Sequence, residues 1–101
     1  MELQTVHWRM PNGLEFEWSL AKAALNLRKH RVSFPYATRV FLDPHRQEQL
    51  DTREEYGEER WIALGRVDEV VLVVVYTLRG SKIRLISARK ADRSDYGNYW
   101  H

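Results

Sequence analysis

The chain has 101 residues, no cysteine, 44% hydrophobic residues and a formal net charge of +2. That length supports one domain with a thin core, and the missing cysteine excludes disulfides and thiolate metal sites. The small net charge says little about nucleic acid, but it hides a patterned surface.

Residues 21–31 carry Lys22, Arg28, Lys29 and Arg31 with no acid. Residues 82–93 carry Lys82, Arg84, Arg89, Lys90 and Arg93 against Asp92 alone. Between them, residues 46–60 are acidic, with Glu48, Asp51, Glu54, Glu55, Glu58 and Glu59 against three arginines. Two basic patches and one acidic strip result. The N-terminus lacks the apolar stretch of a signal peptide. The longest apolar run, around Val70–Val75, is too short to span a bilayer as a helix. These features predict a single domain over 1–101, without a membrane segment and cytoplasmic.

Residues 1–13 are poorly patterned and end in Pro11-Asn12-Gly13, a turn signal. Leu14-Glu15-Phe16-Glu17-Trp18 alternates apolar and acidic, the period of a half-buried strand. Ser19 suits an N-cap, and Leu20, Ala23, Ala24 and Leu27 then recur at i, i+3, i+4, i+7. That spacing predicts a helix over about 20–30 with those four facing inward and Lys22, Asn26 and Lys29 outward. Arg28, Lys29 and His30 in its last turn also suit the helix dipole, whatever else they do. A second helix is expected after Ser33, with Pro35 in its first turn and Phe34, Ala37, Val40 and Phe41 inward. Asp43-Pro44 stops it.

Residues 45–57 are polar, with one possible short strand at 47–51. Three β-type runs then fill residues 58–91. Gly80-Ser81 suits a two-residue hairpin turn. It pairs Leu78 with Ile83, Tyr76 with Leu85 and Val74 with Ser87 on one face. Thr77 with Arg84 and Val75 with Ile86 share the other, rimmed by Arg79 and Lys82. The oilier first face should carry the helices. The turn at Asp68-Glu69 fits two or three residues, which leaves the face of Arg60 open, since a one-residue slip exchanges the faces. Residues 92–100 read as a terminal helix capped by Asp92, with Tyr96, Tyr99 and Trp100 expected on the sheet.

No two of His7, His30, His45 and His101 stand at metal-ligand spacing, and no P-loop, nucleophile elbow or dinucleotide fingerprint occurs. Arg60, Arg79, Arg84 and Arg89 on adjacent strands suit a phosphate, because a planar fork of donors matches its oxygens. They equally suit edge-strand solubility. Lys22, Lys29 and His30 stand between a solvated helix face and a second wall of the same site. Glu58-Glu59 is a pair of adjacent acids immediately before an arginine, and only one of them can face a given site.

The order of several short words is more specific than any of them. Phe16-Glu17-Trp18, Lys22-Ala23, Asn26, Lys29-His30 and Val32-Ser33-Phe34 come first. Val40-Phe41-Leu42-Asp43-Pro44, Tyr56-Gly57-Glu58-Glu59-Arg60 and Leu64-Gly65 follow. Val73-Val74-Val75-Tyr76-Thr77, Arg79 and Ile83-Arg84-Leu85-Ile86-Ser87-Ala88-Arg89-Lys90-Ala91 complete the set. In these words, over residues 16–99, the chain resembles BrnT-type toxins of bacterial type II toxin–antitoxin systems. Ser19 stands where that family tends to have aspartate, Arg31 where it has glycine, and Asp95 near a usual glutamate.

The resemblance implies an α+β fold of RelE-like type: an antiparallel or mixed sheet, two N-terminal helices on one face and a C-terminal helix. It implies an endoribonuclease that uses no cofactor or metal, in which the RNA's 2′-hydroxyl attacks the scissile phosphate. On this chain Arg60, Arg79 and Arg84 would stabilise the phosphate, and Glu58 would take the proton. Lys22 or His30 would give one to the leaving oxygen, and Lys29, Arg89 and Lys90 would track the RNA backbone. The partners implied are a BrnA-type antitoxin encoded alongside and RNA, with promoter DNA reached only through the antitoxin. Two other readings fit the same words. One is a non-catalytic interaction module of the same fold. The other is a RelE-like toxin acting on another target such as a topoisomerase.

Overall fold

The computed structural model describes residues 4–99, with only the backbone of residues 98 and 99. Its elements in chain order are β1 (Thr5–Arg9), β2 (Glu15–Ser19), α1 (Leu20–His30) and α2 (Phe34–Ala37). A 3-10 turn at Thr38–Leu42 follows, then β3 (Gln47–Leu50), β4 (Trp61–Val67), β5 (Val70–Arg79), β6 (Lys82–Lys90) and α3 (Arg93–Tyr99). The six strands form one mixed sheet in the order β1-β2-β6-β5-β4-β3. The class is α+β. All pairings are antiparallel except that of β2 with β6.

The segment before Pro11 is more ordered than its weak pattern suggests. Val6 and Trp8 of β1 lie across from Trp18 and Phe16 of β2. Gly13 turns the chain between them at φ 94, and the Asn12 side chain accepts from the Leu14 N–H at 3.0 Å. Sequence hid this strand because only one of its five residues is even half-buried.

One face of the sheet holds the core. Phe16 and Trp18 of β2, Ala63 of β4, Leu72, Val74 and Tyr76 of β5, and Leu85 and Ala88 of β6 meet Phe34, Ala37, Val40 and Phe41 there. Ring contacts tie the layers: Phe16 to Phe41 at 5.3 Å, Trp18 to Phe34 at 5.6 Å and Phe41 to Tyr76 at 5.2 Å. Ser33 caps α2 as its position suggests, accepting from the Tyr36 N–H at 3.2 Å. The helix is shorter than expected and tightens into the 3-10 turn, which presses on β4 at Gly65. A Cβ at Gly65 would stand 2.6 Å from Val40 Cγ1.

Helix α1 corrects the sequence reading. Leu20 and Leu27, expected inside, are 47% and 48% exposed, and Asn26, expected outside, is buried. The reason is the place the helix takes. β2 pairs with β6 only at Phe16–Ile83 and Glu17–Arg84, and then becomes α1. The helix therefore runs along the rest of the β6 edge and meets it with a narrow stripe. Asn26 supplies what a neighbouring strand would. Its amide donates to the Ala88 carbonyl at 2.8 Å and accepts from the Ala88 N–H at 3.0 Å. It also donates to the Val32 carbonyl at 2.9 Å. Ser19 caps the helix through the Lys22 N–H at 3.3 Å. At the other end Arg31 takes the left-handed conformation, φ 61, and its N–H closes on the Leu27 carbonyl. A residue with a Cβ thus sits where glycine is favoured.

The hairpin turn at Gly80-Ser81 holds two residues, with Gly80 at φ 61. Leu78–Ile83, Tyr76–Leu85 and Thr77–Arg84 pair as the sequence predicts. Beyond them a bulge inserts Ile86, so Val75 faces Ser87 and Val74 faces Ala88. The expected pairs Val74–Ser87 and Val75–Ile86 are thereby overturned. Asp92 caps α3, accepting from the Asp95 N–H at 3.1 Å. Tyr96 is 37% exposed, against the expectation that it packs on the sheet. Trp100 and the side chain of Tyr99 lie outside the described residues. No described helix is long and apolar enough to cross a membrane.

Candidate functional site

The face of the sheet opposite α2 carries the arginine candidates Arg79, Arg84 and Arg89. Leu72, Val74 and Tyr76 point to the core, so Val71, Val73, Val75, Thr77 and Arg79 point the other way. The bulge decides which cations of β6 join them. In a regular strand Arg84 would share its face with Ile86, Ala88 and Lys90. The extra residue instead sets Ser87 and Arg89 opposite Val75 and Val73, on the face of Arg84. Lys90 is paired with Leu72 and belongs to the other face.

At the hairpin end, three cations each meet a partner brought from elsewhere in the chain. Arg84 Nη1 donates to Glu17 Oε2 at 2.8 Å, and both side chains are largely buried. Arg79 Nη2 donates to Glu58 Oε1 at 3.2 Å at a more exposed position. Lys82 Nζ lies 3.1 Å from His7 Nδ1. The Thr77 hydroxyl donates to the Glu59 carbonyl at 2.6 Å, which fixes the end of the acidic strip beside the hairpin. Glu58 and Arg79, both candidates from the sequence, are thus in direct contact.

At the other end lies a cavity of about 420 Å³. Ile62, Leu64, Val73 and Val75 form its apolar floor, and His30, Gln49, Ser87 and Arg89 are among its polar walls. Arg89 Nη1 donates to Asp95 Oδ2 of α3 at 2.7 Å. By the rise of a strand, Arg89 stands roughly 15 Å from Arg84. Arg79, Arg84 and Arg89 therefore share one face without converging on a point.

The loop between β3 and β4 is built around Asp51. Its carboxylate takes Arg53 Nε at 2.8 Å, Arg53 Nη2 at 2.7 Å and the Tyr56 hydroxyl at 3.2 Å. Its N–H donates to the Arg60 carbonyl at 2.7 Å. The two-pronged contact with Arg53 holds the Asp51 carboxyl down at about 2. Burial, and next the bond to Asp51, push the Tyr56 phenol up. Arg60 stacks its guanidinium over the Tyr56 ring at 4.2 Å. The turn at Asp68-Glu69 proves to hold two residues, so Ile62 falls on the open face and Trp61 on the core face. Position 60, one residue before β4, has the parity of the open face. Among the described residues no direct bond joins Arg60 to Arg79 or Glu58.

Lys22 and Lys29 are exposed on α1. His30 is half-buried beside the cavity, on the same side as Arg89. Sequence reasoning missed Glu17, His7 and Asp95. Glu17 and His7 meet their cations across 67 and 75 residues of chain, so no local signal marks them. No group of three or more His, Asp or Glu able to hold a metal ion occurs among the described residues.

No curated protein matches the chain. A family model described as the ribonuclease toxin BrnT of type II toxin–antitoxin systems matches residues 18–95, most of its length.

Proposed function

The chain belongs to the BrnT family of ribonuclease toxins of type II toxin–antitoxin systems, and we propose that it cleaves RNA without a metal on the open face of its sheet. Family membership implies an RNA substrate and an antitoxin partner. The finer reading concerns how cleavage occurs. The RNA's 2′-hydroxyl attacks the adjacent phosphorus, forming a 2′,3′-cyclic phosphate and expelling the 5′ oxygen. The protein then has to accept one proton, stabilise charge on the phosphate oxygens and deliver one proton.

The observation that carries this reading is the common face of Arg79 and Arg84, to which the β6 bulge adds Arg89. A phosphate seated over Thr77 and Val75 has Arg79, Arg84 and Glu58 towards the hairpin, and Arg89 and His30 towards the cavity. In this reading Glu58 accepts the 2′ proton, and RNA binding must draw the donor to the leaving oxygen, His30 or Lys22, towards the hairpin end. Arg79 and Arg84 exchange a carboxylate oxygen for a phosphate oxygen when RNA binds. Arg60 joins them by leaving the Tyr56 ring. Lys22, the other proton-donor candidate, is exposed on α1 with Lys29, whereas Lys90 lies on the opposite face of the sheet.

We further assign the partner as a BrnA-type antitoxin, through which the pair reaches promoter DNA. The fold reading that goes with this is RelE-like. A non-catalytic interaction module is the second reading, favoured by one observation: Arg79, Arg84 and Arg89 each already bind a carboxylate. The test is cleavage of RNA in chelator. The proposal expects cyclic-phosphate ends from the wild-type chain, and loss of at least about 100-fold in Arg79→Ala. Intact RNA after incubation with the folded wild-type chain overturns it.

A further inference from the structure

Helix α1 has its polarity reversed. The residue it buries is an asparagine, and its leucines face outward. Leu20, Ala24 and Leu27 stand at i, i+4, i+7, and Ala21, Leu25 and Arg28 form the adjoining stripe at the same spacing. All six are exposed, Leu20, Leu25 and Leu27 at 47%, 53% and 48%. An amphipathic helix normally turns such a stripe to its own core. Here the β6 edge takes the Asn26 side, so the apolar stripe has no partner within the described residues. Leucines scattered singly over a surface need no explanation, but here Leu20 and Leu27 stand on one side of Ala21 and Ala24 and Leu25 on the other, so the exposed arc of this 11-residue helix is apolar across its width except at Arg28.

Charge selects what can cover it. Arg28 lies within the exposed arc, Lys22, Lys29 and Arg31 are also on this segment, and residues 20–31 contain no acid. A second copy of this chain would set two such cationic helices against each other, which like-charge repulsion opposes. An acidic partner with its own apolar stripe satisfies both the leucines and the cations.

We propose that the outer face of α1 is the docking surface for the antitoxin, which lays an acidic amphipathic helix along it. The inference rests on the toxin reading for the identity of the partner. The surface lies on the outer side of α1, whereas RNA binding is assigned to the open face of the sheet. An antitoxin seated on α1 reaches the cationic flank of the RNA path at Lys29 while its anchor stays on the leucines.

The experiment uses the full chain with the antitoxin encoded beside it. Three quantities are measured on wild type, Leu25→Asp/Leu27→Asp and Arg28→Glu: affinity by calorimetry, RNA cleavage and thermal unfolding. The expected result is an affinity at least about 30-fold weaker for the leucine pair, as for loss of an interface anchor. A smaller loss, which shrinks as salt is raised, is expected for Arg28→Glu. RNA cleavage stays at the wild-type rate in both. Affinity within about threefold of wild type in a folded leucine variant overturns the inference while leaving the toxin reading standing. Should the aspartate pair not fold, hydrogen exchange on the wild-type complex decides. Protection of residues 20–28 on binding is expected, and unchanged exchange there overturns the inference. A wild-type chain that neither cleaves RNA nor binds the antitoxin overturns both.

Discussion

Asn26 and Ala88, 62 residues apart, are joined by two hydrogen bonds of 2.8 and 3.0 Å that mimic one rung of a β-ladder. A helix side chain thus completes the edge of a strand. Replacing Asn26 by leucine keeps the volume but leaves the N–H and C=O of Ala88 and the carbonyl of Val32 without it. Each buried group left unpaired costs about 1–3 kcal/mol. We expect Asn26→Leu to lower stability by about 3 kcal/mol, read from the urea midpoint at unchanged slope.

Arg31 closes α1 in a left-handed conformation that a Cβ disfavours. Arg31→Gly removes that strain, at some cost from a more flexible unfolded chain. The expected net gain is about 0.5–1 kcal/mol, seen as a higher melting temperature. A lower one would mean that the arginine side chain contributes more than its backbone costs.

Asp51 gives the β3–β4 loop its acid limit. Its carboxyl is held at about 2, against an ordinary value of 3.8, chiefly by the hydrogen-bonded Arg53. A depressed carboxyl contributes stability that is complete above the unfolded value and is lost as pH falls through the folded one. The contribution is therefore present above pH 4 and disappears towards pH 2. Asp51→Asn should be less stable than wild type at pH 7, and the two should converge near pH 2. Denaturant melts at four or five pH values will show whether the gap closes. The same variant frees Tyr56, so the stack under Arg60 should loosen at neutral pH, visible in the tyrosine ring resonances.

Arg89 and Lys90 are neighbours with opposite expectations. The bulge at Ile86 turns Arg89 to the open face and Lys90 away. If RNA lies on that face, Arg89→Ala reduces the slope of log K against log salt by about 0.7, one phosphate contact on a single strand. Lys90→Ala changes it less. Equal slopes for the two variants would place the RNA elsewhere.

The hairpin was readable because its signals are local. Gly80-Ser81 names the turn, and alternation on both sides sets Thr77 against Arg84. The bulge at Ile86, five residues after Ser81, has no such mark, since Ile86-Ser87 suits a regular strand, and with it the face of Arg89 was lost. Helix α1 failed for a different reason. Its Leu and Ala spacing correctly gives a helix, but periodicity alone assumes that the apolar side is the buried one. A long-range bond from Asn26 to Ala88 overrides that assumption. The Glu17–Arg84 pair depends on the one parallel pairing in the sheet, which no short-range pattern announces. Family words gave the family, because they carry the order of elements as a whole, but they assigned no contact to Asn26 or Glu17.

The position of β6 has a consequence for the timing of synthesis. It lies between β2 and β5, so the last of the six described strands to be synthesised is the one that joins the two parts of the sheet. Until it emerges, β1, β2 and α1 form one fragment and β3 to β5 another, with nothing of the ladder between them. Glu17 has no arginine, Asn26 has no strand edge and the open face has no Arg84 or Arg89. A growing chain therefore cannot assemble the proposed catalytic surface early, and a ribosome making this protein is not exposed to it until the final strand is out.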